Sequence, residues 1–400
     1  MNRFIQTIKA IRDVLLYILL FMSAISYHPT IINMSRIAGY ENGTILSRYI
    51  ILVFGAVFIL SFSITAIRQS KLLRTYIIWL AVIFTAALII QAFFRNRNMI
   101  HELRSFIIVF GAIMIGYDMK MGDRRFRLII LVFCLTTLFS GVMQVLVNNG
   151  GFRIANQYLT DSKNSLGAML ATATFALYYL SRQYKSGLVR TIILVLAFAA
   201  FLVTVTIRAR MGVVAVGLAG MYYYYLIKRS RNVLISIVLI GVVGFFVILL
   251  MPGAVADYLL SSFTAGTQGE DFTSGRIYTY AAAISYLMES PLLGDILRLN
   301  EIGWIHNFLL LTLYQYGLLF SWPIIVLYFY LLIRAIRQSW KLPAKSDECF
   351  GYVCLLLPFI ISLAEPTFPF GPGTVNLFNF ILLGMAERQV RVANESVVSI

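Results

Sequence analysis

Twelve stretches of mostly apolar residues recur along this chain: about 13–28, 49–67, 74–94, 104–118, 128–148, 165–181, 188–207, 211–227, 232–251, 314–335, 350–365 and 373–387. A helix rises about 1.5 Å per residue, so roughly 20 such residues cross about 30 Å of hydrocarbon. Apolar residues make up 60% of the sequence and charged residues 12%, with a mean hydropathy of +0.83. A soluble domain averages about 45–50% apolar and about 25% charged, so this chain could not cover itself with polar surface in water. The pattern predicts an all-α polytopic integral membrane protein of about twelve transmembrane helices. It forms one transmembrane domain over residues 1–400, with one large loop, 252–305, inserted between spans nine and ten. Ala24 and Ser26, after a basic start and an apolar core, imitate a signal-peptide cleavage site, but the span is expected to remain.

The formal charge is +16. In a soluble protein this would suggest nucleic acid. Sorted by loop, however, the charge alternates. With the amino terminus in the cytoplasm, the inside segments carry 22 of the 33 Lys and Arg residues against 7 acids, and the outside segments carry 11 against 10. That alternation is a topology signal, not a polyanion footprint, and it places both termini in the cytoplasm. The weakest point is the outside cluster Arg95 to Arg104. Cys134, Cys349 and Cys354 lack the paired spacing of a zinc site or a disulfide framework and are expected to be packing residues. There is no Walker phosphate loop, no HExxH and no GxSxG.

Polar chemistry gathers on the outside. His28, His101 and His306 all fall there, as does the long loop. A helix is expected from Arg276 to about Ser290, capped by Thr273 or Ser274, with Ile277, Tyr280, Ile284 and Leu287 along one face and Pro291 as its stop. Arg276 at a helix start opposes the helix dipole and calls for an anion: a ligand, or a carboxylate such as Glu270 or Asp271. The turn Thr206-Ile207-Arg208-Ala209-Arg210 puts two arginines at membrane depth, where they serve an anionic ligand or snorkel to lipid phosphates. His306, followed by Asn307 where the chain re-enters the membrane, could take a proton from a hydroxyl nucleophile or act as an interfacial hydrogen-bonding residue. Arg153, Asn164, Tyr316 and Glu365 are further candidates. Glu365 lies near the bilayer rim and is also readable as a partner for an outside arginine. The run Tyr222 to Tyr225 reads as an interfacial aromatic belt.

The order of these parts resembles the O-antigen ligase and O-antigen polymerase superfamily. It has an arginine turn after the seventh span, then a long external loop with Ser274-Gly275-Arg276 and Ser290-Pro291-Leu292-Leu293-Gly294. His306-Asn307 follows at re-entry, and then Tyr316-Gly317. The motifs cover about residues 150–330 and the span pattern covers the chain. The resemblance implies a GT-C-like glycosyltransferase of the bacterial inner membrane, active on its periplasmic face without metal, cofactor or nucleotide sugar. It would take a glycan from an undecaprenyl-diphosphate-linked oligosaccharide by inverting displacement. Arg210 and Arg276 would hold the diphosphate and His306 would position or deprotonate the acceptor. Arg208 competes with Arg210, because Ala209 stands where the family has Ser or Thr. Arg153, Asn164, Asn307, Glu365 and Tyr316 would line the substrate. Trp304 occupies the place of a second ligase histidine, which favours a polymerase of lipid-linked repeats over a ligase onto lipid A core. The other expected partners are membrane lipid and a chain-length-regulating protein, with no nucleic acid. A lipid-linked glycan transporter or flippase is the distant alternative, and neither inverted repeats nor charges spread through the spans favour it.

Overall fold

The computed structural model describes residues 2–38, 45–122, 124–147, 160–207, 209–229, 276–297, 305–371 and 375–398. Arg153, Arg208, Glu270, Asp271, Thr273, Ser274, Gly275, Trp304, the span expected at 232–251 and most of the loop 252–305 lie outside them.

All regular structure among the described residues is helical. In chain order the helices are α1 (Asn2–Ile25), α2 (Pro29–Ile37), α3 (Ser47–Ser61), α4 (Ile64–Gln69), α5 (Lys71–Phe94), α6 (Asn98–Tyr117), α7 (Arg124–Val147), α8 (Thr160–Ser181), α9 (Gly187–Thr206), α10 (Arg210–Lys228), α11 (Arg276–Glu289), α12 (Phe308–Lys341), α13 (Asp347–Ile361) and α14 (Leu377–Val398). Each of the eleven expected spans within the described residues falls on this set, with α3 and α4 together covering 49–67. Among the described residues six helices, α5, α6, α7, α9, α10 and α12, are long and apolar enough to cross a membrane. The chain is an all-α, multi-pass membrane protein.

Exposure of large apolar side chains supports that assignment. Leu52, Ile59, Ile78, Phe93 and Phe198 are all more than half exposed, on helices α3, α5 and α9. In water this would be an aggregation surface; in a bilayer it meets lipid. Other helices are enclosed, and α13 is buried along nearly all of its length. Small residues let backbones approach where helices cross. Gly384 of α14 lies against the Ile113 carbonyl of α6, and Gly116 of α6 lies against the Ile381 backbone of α14. Aromatic rings fill the wider gaps. Phe133 stacks on Phe378 with ring centroids 4.3 Å apart, and Tyr179 stacks on Phe350 at 3.8 Å. Cys134, Cys349 and Cys354 are free thiols buried in this interior, as expected.

The loop helix α11 runs from Arg276 to Glu289 and stops before Pro291, as its sequence predicts. Its buried face is rotated from the expected one. Ala283 is fully buried, Tyr280 and Leu287 are half-buried, and Ile284 is 52% exposed. The face was expected to follow the larger aliphatic residue, but the tight approach of α11 to Tyr314 and Ile305 selects the small alanine instead. The tyrosine run also divides: Tyr224 is exposed, Tyr222 bonds to Ser339 at 2.9 Å, and Tyr223 is buried against Phe175. It is partly a helix-packing surface and not a uniform belt.

Helix α12 starts six residues before the expected 314 because Asn307 caps it, its side-chain oxygen accepting the Leu310 N–H at 2.9 Å. The helix is interrupted at Gly317 (φ 57, ψ −177). The N–H groups of Leu318 and Leu319, released from the helix ladder, donate to the carbonyls of Pro291 and Leu292 at 2.9 and 3.0 Å. In return the Tyr314 carbonyl accepts the Asp295 N–H at 2.6 Å. The segment Pro291–Asp295 is therefore spliced into the break of a membrane helix, which satisfies backbone groups that lipid could not. Two glycines make the approach: a Cβ at Gly294 would collide with the Tyr314 carbonyl, and one at Gly317 with the Leu292 carbonyl. Both sit at positive φ, 58° and 57°.

Candidate functional site

The splice fixes α11 beside the start of α12, and that arrangement builds the site. Ile305 and Tyr314 from α12 and its approach pack on Ala283 of α11, with the Tyr286 ring 5.2 Å from that of Tyr314. Tyr280, one turn into α11 from Arg276, donates its hydroxyl to the His306 carbonyl at 2.6 Å. The next residue anchors the other side. The Asn307 amide donates to the Leu363 carbonyl at 2.9 Å, and the Phe308 N–H donates to the Ser362 carbonyl at 3.1 Å. Leu363 is two residues from Glu365, so the His306 backbone is held between α11 and the turn that carries the carboxylate.

At the centre is Glu365, 8% exposed. It accepts a hydrogen bond from the Asn164 amide at 2.8 Å and faces the Arg276 guanidinium at 3.5 Å. Residues at 164, 276 and 365 thus meet from α8, α11 and the turn after α13. The carboxylate answers the requirement for an anion beside Arg276; Glu270 and Asp271, the other expected partners, lie outside the described residues. The contact is long for a hydrogen bond, so Arg276 is neutralised electrostatically without being fully engaged.

His306 has a distinctive environment. Its Nδ1 is buried without a hydrogen-bond partner among the described residues. Burial and the nearby Arg276 charge push its pKa down from 6.5 to about 4, so the imidazole is neutral at pH 7. The two other histidines differ: His28 accepts the Thr30 N–H on Nδ1 and stacks on Phe139, and His101 is exposed. The Tyr280 pKa is instead pushed up, chiefly by burial; Arg276 opposes that shift and Glu365 adds to it. These mutual effects place Arg276, Glu365, Tyr280 and His306 in one electrostatic cluster.

Arg210 is the first residue of α10. The preceding Ala209 abuts Gly167 of α8, where a Cβ would collide with the Ala209 Cβ, and Gly212 lies against the Gly167 carbonyl. The start of α10 is thus fixed within one helical turn of Asn164. Its alternative, Arg208, and Arg153 lie outside the described residues. Tyr316 is fully buried beside the Gly317 break and interacts electrostatically with Glu102 of α6. It belongs to the interior behind the splice, and the Asn307 side chain is occupied by backbone groups on both sides.

One participant is not marked as a site residue by the sequence. Tyr280 reads there only as part of an apolar face, and no local pattern distinguishes it. A cavity of about 520 Å³ lies at the opposite, basic end of the bundle. Among the described residues no cluster of three or more His, Cys, Asp or Glu side chains could hold a metal ion. No protein-family model matches the chain, and no curated protein matches it.

Proposed function

We propose that this protein is a membrane glycosyltransferase that moves a glycan from a lipid diphosphate to a sugar hydroxyl, acting as a polymerase of lipid-linked repeat units. The observation that carries the reading is the meeting of Arg276, Glu365 and a neutral, under-bonded His306 at the loop end of the bundle. The acceptor hydroxyl would give its proton to His306 as its oxygen attacks the anomeric carbon, while the bond to the diphosphate breaks. The departing lipid diphosphate carries the developing charge, which Arg276 and Arg210 would neutralise. Direct displacement inverts the anomeric centre.

The low pKa of His306 fits this sequence of events. A base at about 4 is available but weak. A diphosphate bound at Arg276 would cancel the positive potential on the imidazole, raising its basicity only when donor is present. In this reading twelve spans in a GT-C-like arrangement have both termini in the cytoplasm, and the site opens to the periplasmic side of a bacterial inner membrane. The same residues would serve a ligase that uses lipid A core as acceptor. Deleting the gene and displaying lipopolysaccharide by size separates the two: a single repeat on core marks a lost polymerase, and bare core with polymer held on carrier lipid marks a lost ligase. Full activity from a stably inserted His306→Ala protein would overturn the mechanism.

A further inference from the structure

Helix α11 is held differently at its two ends. Beyond its carboxyl end, the backbone splice joins Pro291 and Leu292 to Leu318 and Leu319 of α12. Among the described residues the rest of α11 is held through side chains. Ala283 packs on Ile305 and Tyr314, Arg276 faces Glu365 at 3.5 Å, and the Tyr280 hydroxyl donates to the His306 carbonyl at 2.6 Å.

In an uninterrupted helix the His306 carbonyl would accept the Leu310 N–H, but the Asn307 side chain takes that N–H. His306 therefore lies outside the helix ladder, and Tyr280 supplies the donor that its carbonyl needs. On the other side, the Asn307 amide and the Phe308 N–H are fixed to the carbonyls of Leu363 and Ser362. Arg276 and Tyr280 stand four residues apart, so they share one face of α11 about 6 Å apart along its axis. The helix that carries the guanidinium thus also fixes the histidine backbone.

We infer that Tyr280 is a positioning residue: its hydroxyl binds His306 to the helix that carries Arg276, so that the base and the diphosphate clamp keep one fixed separation. The inference rests on the glycosyl-transfer reading of the site and adds the group that couples its two halves. The chemistry of the phenol suits this role. Burial pushes its pKa up and Glu365 adds to that shift against the opposing Arg276 charge, so the hydroxyl keeps the proton it must donate. A phenylalanine at 280 would keep the ring and lose the hydrogen bond.

The test compares Tyr280→Phe with the wild type, each as the full chain in nanodiscs, by NMR titration of labelled histidine. The His306 resonance is the one that disappears in His306→Gln. In the wild type it is expected to titrate at about 4; in Tyr280→Phe the imidazole gains access to water and its titration should rise toward 6.5, with the unfolding midpoint nearly unchanged. Tyr278→Phe, which removes an exposed hydroxyl from the same helix, should titrate as the wild type does. A second arm measures transfer by the purified chain from lipid-linked repeat units extracted from the host membrane. Tyr280→Phe should lower kcat by about tenfold, as misplacing a reacting group does, and leave KM for the donor within about twofold. The inference is overturned if the His306 titration does not move in Tyr280→Phe, if Tyr278→Phe moves it as far, or if KM rises while kcat holds, which would make Tyr280 a donor-binding group. A wild type that transfers nothing counts against the glycosyl-transfer reading, while the titration arm still decides the role of Tyr280.

Discussion

The two ends of the bundle handle charge in opposite ways. At the basic end every buried charge has close partners: Arg12 bridges Asp13 and Asp118, Arg125 reaches Asp13 at 2.7 Å, and Arg334 grips Glu387 with two nitrogens. At the loop end Arg276 stands 3.5 Å from Glu365, which makes its closer bond to Asn164, and the His306 Nδ1 has no hydrogen-bond partner among the described residues. Desolvating a charge is expensive, and a closed pair with full hydrogen bonding offsets the cost. A loosely matched pair retains capacity for a third party. The first arrangement holds helices together, and the second keeps electrostatic potential available for a ligand.

Removing His306 should separate the two regimes most sharply. His306→Ala is expected to lower polymerisation by about 10²–10⁴-fold, the usual contribution of a general base, with the unfolding midpoint of purified protein nearly unchanged. Arg334→Ala should do the reverse. Leaving Glu387 buried without its guanidinium is expected to cost about 3–5 kcal/mol of stability, read as a lower melting temperature and reduced membrane yield. Replacing Arg334 and Glu387 together by leucine should recover most of that loss. A recovery in the double variant and none in the single one would confirm that this pair is architecture.

Acidity provides a subtler contrast. The unfolded chain protonates His306 near 6.5, whereas the folded protein resists until about 4. The unfolded state therefore binds more protons in that window, and this histidine's contribution to stability falls as pH drops from about 6.5 through about 4. Unfolding midpoints measured across that range should depend less on pH in His306→Gln. Arg276→Ala should move the imidazole titration upward toward 6.5, observable by NMR of labelled histidine. The smallest effect is expected from Glu365→Gln, which frees Arg276 from its carboxylate. Donor affinity should rise by up to about fivefold, within the range for a weak ion pair; tighter binding with unchanged maximal rate would identify Glu365 as a place-holder for the donor's charge.

Helices and their basic flanks were legible in the sequence because both follow from local composition. The apolar runs in α5, α7 and α9 leave no other fold, and the end of α11 follows from Pro291. The rotation of α11 onto Ala283 was not legible, since it depends on the shape of Tyr314 and Ile305 across the interface. Nor was the joining of Asn164, Arg276 and Glu365, which are widely separated in sequence and meet only through helix packing. Glu365 and Arg276 each showed an unmet electrostatic requirement on their own; the sequence could not show that each answers the other. The short Leu-Leu-Gly and Tyr-Gly motifs carried the least visible information, because what they encode is backbone meeting backbone.

That meeting bears on how the protein is made. Leu318 and Leu319 emerge from the ribosome after Pro291 and Leu292, and their amides find acceptors only once that upstream segment has docked. Lateral release of α12 from the insertion machinery is therefore coupled to docking of the Pro291–Asp295 segment. A glycine replacement at 294 or 317 would be expected to trap a half-inserted nascent chain, long before any substrate is met.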